Sequence, residues 1–145
     1  MLHAVHLADS YPVRWPEQPA QWIAGPRTIA AWVSENRDEL VGHLALTAPD
    51  PDSDWPQWRQ ALAVPSDRLA VVRRFFVAPE WRRQGVGDAL LGLGHGEASR
   101  RGLRLALDVA VHNQAAIRFY EHRGWRRVGE AKRAWLELVL FVEPD

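Results

Sequence analysis

Residues 80–91, EWRRQGVGDALL, set two arginines and a glutamine in front of Gly85-Val86-Gly87, and an apolar helical pattern begins immediately afterwards. A helix start leaves about four backbone N–H groups without intrahelical partners and carries a partial positive charge. It receives phosphate well when no side chain blocks the approach. Glycines at 85 and 87 remove that block, and Arg82, Arg83 and Gln84 add donors at the rim. The spacing is not the dinucleotide pattern G-x-G-x-x-G, since position 90 is Leu, and it lacks the Gly-Lys-Ser/Thr end of a P-loop.

Working outward, RLAVVRRFFVAP (68–79) reads as a long strand closed by Pro79. Strict alternation would put Val71, Arg73, Phe75 and Val77 on one face and Val72, Arg74 and Phe76 on the other. From Gly85 to about Arg101, Val86, Ala89, Leu90 and Leu93 fall at helical spacing. LRLALDVAV (103–111) is the near-continuous apolar run of a strand buried on both faces. NQAAIRFYEHRG (113–124) has Asn113 as N-cap, a stripe of Ala116, Phe119 and Tyr120, and Gly124 at the C′ position.

WRRVGE (125–130) and AWLELVLFV (134–142) read as a closing hairpin around AKR. Ahead of these lie TIAAWVS (28–34) and ELVGHLALT (39–47), a hairpin signal whose turn lacks an Asn-Gly or Asp-Gly pair. In APDPDSDWP (48–56), a loop by composition, Asp54 is placed to cap a short helix over WPQWRQALA before Pro65. The first 26 residues, rich in Pro and Trp, read as a loop with one short helix near PAQWI. No repeat or linker interrupts residues 1–145, so one domain is expected, of mixed α/β class.

Composition bounds the function. Eighteen basic residues balance eighteen acidic ones, so no overall field draws the chain to nucleic acid or an anionic membrane. The arginine pairs at 73/74, 100/101 and 126/127 are scattered and read as solvated faces. The chain has no cysteine, which excludes disulfides, thiolate metal sites and a cysteine nucleophile. The six histidines show no metal-ligand spacing, so no metal is expected. No leader pattern and no apolar run of about 20 residues is present, and the expected location is cytoplasmic.

The motif Arg82-Arg83-Gln84-Gly85-Val86-Gly87 resembles the R/Q-x-x-G-x-G/A signature of the GNAT family, the Gcn5-related N-acetyltransferases. The segment LDVAVHNQAAIRFYEHRGWRRVGE is similar to the family's strand–Asn–helix–Tyr–Gly-aromatic run, with Asn113, Ala116, Tyr120, Gly124 and Trp125 in place. The resemblance covers about residues 68–131 and, less distinctly, the hairpin at 28–47. It implies a central, mostly antiparallel sheet with flanking helices, in which a parallel strand pair splays apart to admit acetyl-coenzyme A. By that likeness, backbone groups of Phe75, Phe76 and Val77 pair with the pantetheine arm. Arg82, Arg83, Gln84, Gly85, Val86, Gly87 and Asp88 wrap the pyrophosphate, Asn113 contacts the cofactor, and the Tyr120 hydroxyl sits near its sulfur.

The implied reaction is direct transfer of acetyl to a primary amine in a ternary complex. An alkylamine with a pKa near 10.4 is less than about one part in a thousand neutral at pH 7, so attack needs a base or a desolvated amine. Asp108 corresponds to an acidic position some family members use as base, and a structural ion pair is its alternative reading. Val77 would offer a backbone N–H to the thioester oxygen, and Tyr120 would protonate the thiolate unless it is an ordinary core tyrosine. His43 is a second base candidate or a packing histidine.

Two departures stand out. Gly92, Gly94 and Gly96 interrupt the helix after the motif. The N-terminal region is short where the family has a strand and helices lining the acceptor pocket. The acceptor, a small molecule or a peptide amine, therefore stays open. Trp15, Trp22, Trp32, Trp55 and Trp58 would wall that pocket or fill the core. A non-catalytic acyl-CoA-binding domain is the alternative function. The long apolar run at 134–142, taken as a sheet edge, suggests a homodimer.

Overall fold

Residues 1–9, 11, 16–18, 23 and 25–145 are described by the computed structural model. Of PAQWI, where a short helix is expected, only Ile23 is described, and it is helical; Trp15 and Trp22 lie outside the described residues. Six strands form one sheet in the order β1-β2-β3-β4-β6-β5. They are β1 (Thr28–Asn36), β2 (Glu39–Thr47), β3 (Leu69–Val77), β4 (Arg104–Ala110), β5 (Arg126–Arg133) and β6 (Leu136–Val142). Helices whose bounds are described are α1 (Leu2–Asp9), α2 (Pro56–Leu62), α3 (Val86–Arg100) and α4 (Gln114–His122). β3 and β4 run parallel, while β1/β2, β4/β6 and β5/β6 are antiparallel, which is the mixed α/β class expected. The chain divides into two compact units, residues 1–47 with 72–97 and residues 48–71 with 98–145.

In the first unit, β1 and β2 form the expected hairpin with Asn36 opposite Glu39. Its two-residue turn holds Arg37 and Asp38 at φ 49° and 67°, so two non-glycine residues adopt the left-handed geometry such turns require. Val41 to Leu46 of β2 are all buried. One face of β2 meets α3. A Cβ at Gly42 would lie 2.9 Å from Leu90 and 3.0 Å from Val86, and one at Gly94 would lie 3.3 Å from Leu44. The opposite face carries His43, stacked on Phe76, and Phe76 packs with Leu2 and Val5 of α1. That contact explains why residues 2–9 are helical where a loop was expected. Eight residues are too few to hold a helix alone, and the Leu2/Val5 pair is stabilised against Phe76.

β3 departs from strict alternation. Arg74 has φ +51°, a left-handed residue in mid-strand that breaks the pleat there, and its carbonyl is bonded to the His43 side chain.

In the second unit, α2 lies over β5 and β6, and its core joins Trp58, Leu62, Leu69, Val71, Ala106, Leu138, Leu140 and Val142. Asp54 does not cap α2. The N-cap is Trp55, without a side-chain bond, and the Asp54 carboxylate instead accepts from Ser66 Oγ at 2.5 Å and faces Arg59 at 3.6 Å. Ala63 ends the helix at φ 55°.

α4 begins as expected, with the Asn113 side chain accepting from the Ala116 N–H at 3.2 Å, and stops before Gly124 at φ +81°. Its buried residues are Ile117 and Tyr120, while Phe119 is half-buried beneath the Arg123 guanidinium. The closing hairpin turns at Ala134-Trp135 rather than around AKR. Ala131, Lys132 and Arg133 pair with Leu138, Glu137 and Leu136, setting opposite charges across from each other at 132 and 137. β6 is paired on both sides, by β4 and β5. The edge that suggested a homodimer is therefore not an edge.

Candidate functional site

The candidate residues fall in both units, and each set is built within its own. In the first unit the strand β3 leads through Ala78 and a 3₁₀ turn (Pro79–Trp81) into the glycine motif. The Ala78 N–H is bonded to the Val41 carbonyl at 2.8 Å, which ties the exit of β3 to β2. Arg82 Nε donates to the Val77 carbonyl at 3.1 Å, and the Gln84 amide donates to the Glu80 carbonyl at 3.1 Å. These two side chains brace the loop on itself. Arg83 and Gly85 both have positive φ, 61° and 83°, and Gly85 is exposed with nothing within 4 Å of where a Cβ would be. The helix then starts at Val86, with Asp88 in its first turn. A helix starts directly after Gly85, and Arg82 and Gln84 reach back to carbonyls of the loop.

Upstream, the Arg74 carbonyl is bonded to His43 Nδ1 at 2.6 Å, and the His43 ring lies 5.4 Å from Phe76 at 19°. His43 is 5 % exposed. Gly42, beside it, lets the first turns of α3 come within contact of β2. The sequence pointed to His43 but not to Arg74, whose place in an Arg-Arg pair carries no signal of a left-handed residue, nor to Gly42.

In the second unit, Asp108 stands on β4 opposite Leu140 of β6. Its side chain is 4 % exposed, accepts from Trp55 Nε1 at 3.2 Å, and faces Arg133 at 4.0 Å. Trp55 packs on the Leu138/Leu140/Val142 core, so Asp108 belongs to the face that α2 covers. Tyr120 belongs to the other face. Its ring sits in an aromatic group with Phe119 (5.2 Å), Trp125 (5.4 Å) and Phe141 (6.0 Å), and Phe141 alternates with Leu140 along β6. The two catalytic candidates are thus separated by the sheet. Trp55 and Arg133 are partners that sequence reasoning missed, because they come from a distant helix cap and the end of β5. Among the described residues no group of three or more His, Cys, Asp or Glu side chains is placed to hold a metal, and no helix is long and apolar enough to cross a membrane.

A model of the acetyltransferase (GNAT) family matches residues 3–125. The chain is a member of the GNAT family. An uncharacterized N-acetyltransferase of Methanocaldococcus jannaschii is 28 % identical over 127 residues, 87 % of this chain and 51 % of that protein. The chain therefore spans about half the length of that relative. Among solved structures, the ribosomal-protein-S18-alanine N-acetyltransferase from Escherichia coli superposes with a TM-score of 0.67 at 20 % identity, covering 99 % of this chain and 86 % of that one. An aminoglycoside 6'-N-acetyltransferase complexed with coenzyme A gives 0.69 at 16 % identity, covering 97 % and 86 %. These likenesses show a shared GNAT fold.

Proposed function

We propose that this GNAT chain is an acetyl-CoA-dependent N-acetyltransferase that transfers acetyl directly to a primary amine, its 145 residues acting as one domain. The observation that carries the reading is the loop from Val77 to Asp88, a braced turn that delivers a bare helix start, in a chain matched by the family model. The family's solved structures include one holding coenzyme A. In this reading the N–H groups of Gly85 to Asp88 and the rim of Arg82, Arg83 and Gln84 hold the pyrophosphate. Phe75, Phe76 and Val77 lie along the pantetheine arm, and Asn113 both caps α4 and meets the cofactor.

In this reading Tyr120 gives a proton to the departing thiolate, and the Val77 N–H stabilises the thioester oxygen as it gains charge. Asp108 is the proposed base for the attacking amine, although it stands across the sheet from Tyr120 and in contact with Trp55 and Arg133. Coenzyme A supplies the activated acetyl group when bound. His43 is the alternative base. The acceptor is a small-molecule or peptide amine, and the half-buried Trp55 beside Asp108 is an apolar wall for it. A homodimer would pair along β1 or β5, the outer strands of the sheet.

A second reading, a non-catalytic acyl-CoA-binding domain, is favoured by the Asp108 contacts to Trp55 and Arg133. Thermal unfolding with acetyl-CoA, with CoA and with ATP tests the cofactor site. A ligand at about 100 times its dissociation constant adds roughly 2.7 kcal/mol, a shift of several degrees. No shift with acetyl-CoA refutes both readings. A shift without release of CoA from any amine panel leaves the non-catalytic one.

A further inference from the structure

The strained residue in β3 and its captured carbonyl point beyond the glycine motif. A left-handed conformation is unfavourable for any residue with a Cβ, so a non-glycine residue stays there only when its surroundings hold it. Arg74, at φ +51°, has its carbonyl held by the His43 side chain, whose Nδ1 lies 2.6 Å from the Arg74 oxygen. A carbonyl oxygen only accepts, so Nδ1 must carry a hydrogen. The peptide unit that ends in this carbonyl continues into the N–H of Phe75, and in a planar trans peptide the C=O and N–H point in opposite directions. Drawing the Arg74 oxygen toward His43 therefore aims the Phe75 N–H the other way. The His43 ring cannot swing to follow a moving carbonyl, because it is 5 % exposed and stacked on Phe76 at 5.4 Å, and Phe76 is fixed by Leu2 and Val5 of α1.

We propose that His43 is a positioning residue: by holding the Arg74 carbonyl it turns the main chain of Phe75 to Val77 to present its donors to an added amide-bearing chain, the pantetheine arm of an acyl-CoA. This rests on the acetyl-CoA reading above and assigns His43 a task other than that of a base. α1 takes part through Phe76, so the amino-terminal helix supports the same three residues. Gly42 adds to the arrangement, since it lets α3 and its motif sit against the strand that carries His43.

The test compares the pantetheine-bearing ligand with the nucleotide half alone. Calorimetric affinities for acetyl-CoA and for adenosine 3′,5′-bisphosphate would be measured on the wild-type chain and on His43→Leu and His43→Asn. Leucine keeps the bulk and loses the donor, whereas the asparagine amide places an N–H near the position of Nδ1. The expected result is about tenfold weaker acetyl-CoA binding by His43→Leu, most of it recovered by His43→Asn, with bisphosphate affinity unchanged in both; tenfold is about 1.4 kcal/mol. Equal loss of both ligands, or wild-type affinity in His43→Leu, overturns the assignment. If His43→Leu does not fold, His43→Asn and the tautomer decide. In long-range ¹H–¹⁵N spectra of the unliganded wild type, His43 must show a protonated Nδ1, and a bare Nδ1 overturns the proposal whatever the ligands do. Failure of wild type to bind acetyl-CoA, with Nδ1 protonated as expected, brings down the acetyltransferase reading, and the pantetheine role falls with it.

Discussion

The three glycines inside α3 should respond to alanine in two different ways. Gly92 and Gly96 are exposed, and a Cβ added at either meets nothing within 4 Å. Glycine in a helix interior is less favourable than alanine by about 0.5–1 kcal/mol, chiefly because the unfolded chain loses more freedom on folding. Each of Gly92→Ala and Gly96→Ala should therefore stabilise the protein by that amount. The pair together should give about 1–2 kcal/mol, or a rise in Tm of roughly 2–8 °C for a chain of this size. Gly94 is different. Its Cβ would stand 3.3 Å from Leu44 Cδ2 and 3.6 Å from Leu46 Cδ2, and both leucines are fully buried, at 0 % exposure. Neither has room to withdraw, so overpacking of about 1–3 kcal/mol exceeds the propensity gain, and Gly94→Ala should lower Tm. Urea titrations followed by circular dichroism, alongside calorimetric melts, read both quantities, and an unchanged m-value shows that only stability moved. The reasoning is refuted if Gly94→Ala stabilises as much as its neighbours, or if either exposed variant melts below wild type.

Other substitutions probe the two candidate sets. Trp55→Phe keeps an aromatic side chain but trades the indole for a smaller phenyl ring and removes the N–H that Asp108 accepts, so it should cost at least about 1–3 kcal/mol in urea unfolding; an unchanged midpoint would show that this bond adds nothing. Asn113→Ala removes the α4 cap and should lower stability by about 1 kcal/mol by the same measurement. If Asn113 also meets the cofactor, its acetyl-CoA affinity falls as well, whereas a purely capping residue leaves affinity intact. Tyr120→Phe should leave acetyl-CoA binding near wild type while turnover with an identified amine falls about 10²–10⁴-fold, the range for a lost general acid. Unaltered turnover would return Tyr120 to the aromatic core it shares with Trp125 and Phe141.

What the sequence by itself determined were the features whose signals are local. A helix start needs glycines and donors within six residues, and residues 82–87 provide them. The Asn113 cap and the Gly124 stop act within one turn of α4, and both are found where the motif puts them. The strands were legible from apolar period, and the family from motifs that bring their own spacing. Tertiary structure decided what depends on which strand lies beside which. β6 reads as an edge in one dimension and is closed on both sides in three, because its partners are 26 or more residues upstream in β4 and immediately before it in β5. Asp108 was visible as a charge in an apolar strand, but only packing joined it to Trp55 and Arg133 and set it across the sheet from Tyr120. α1 is too short to declare itself and is made helical by its contact with Phe76. The left-handed Arg74 has no local cause at all. Its sequence neighbours favour a plain strand, and the hydrogen bond that holds it comes from His43, 31 residues away; such a conformation is stable only when distant groups meet it in the folded chain.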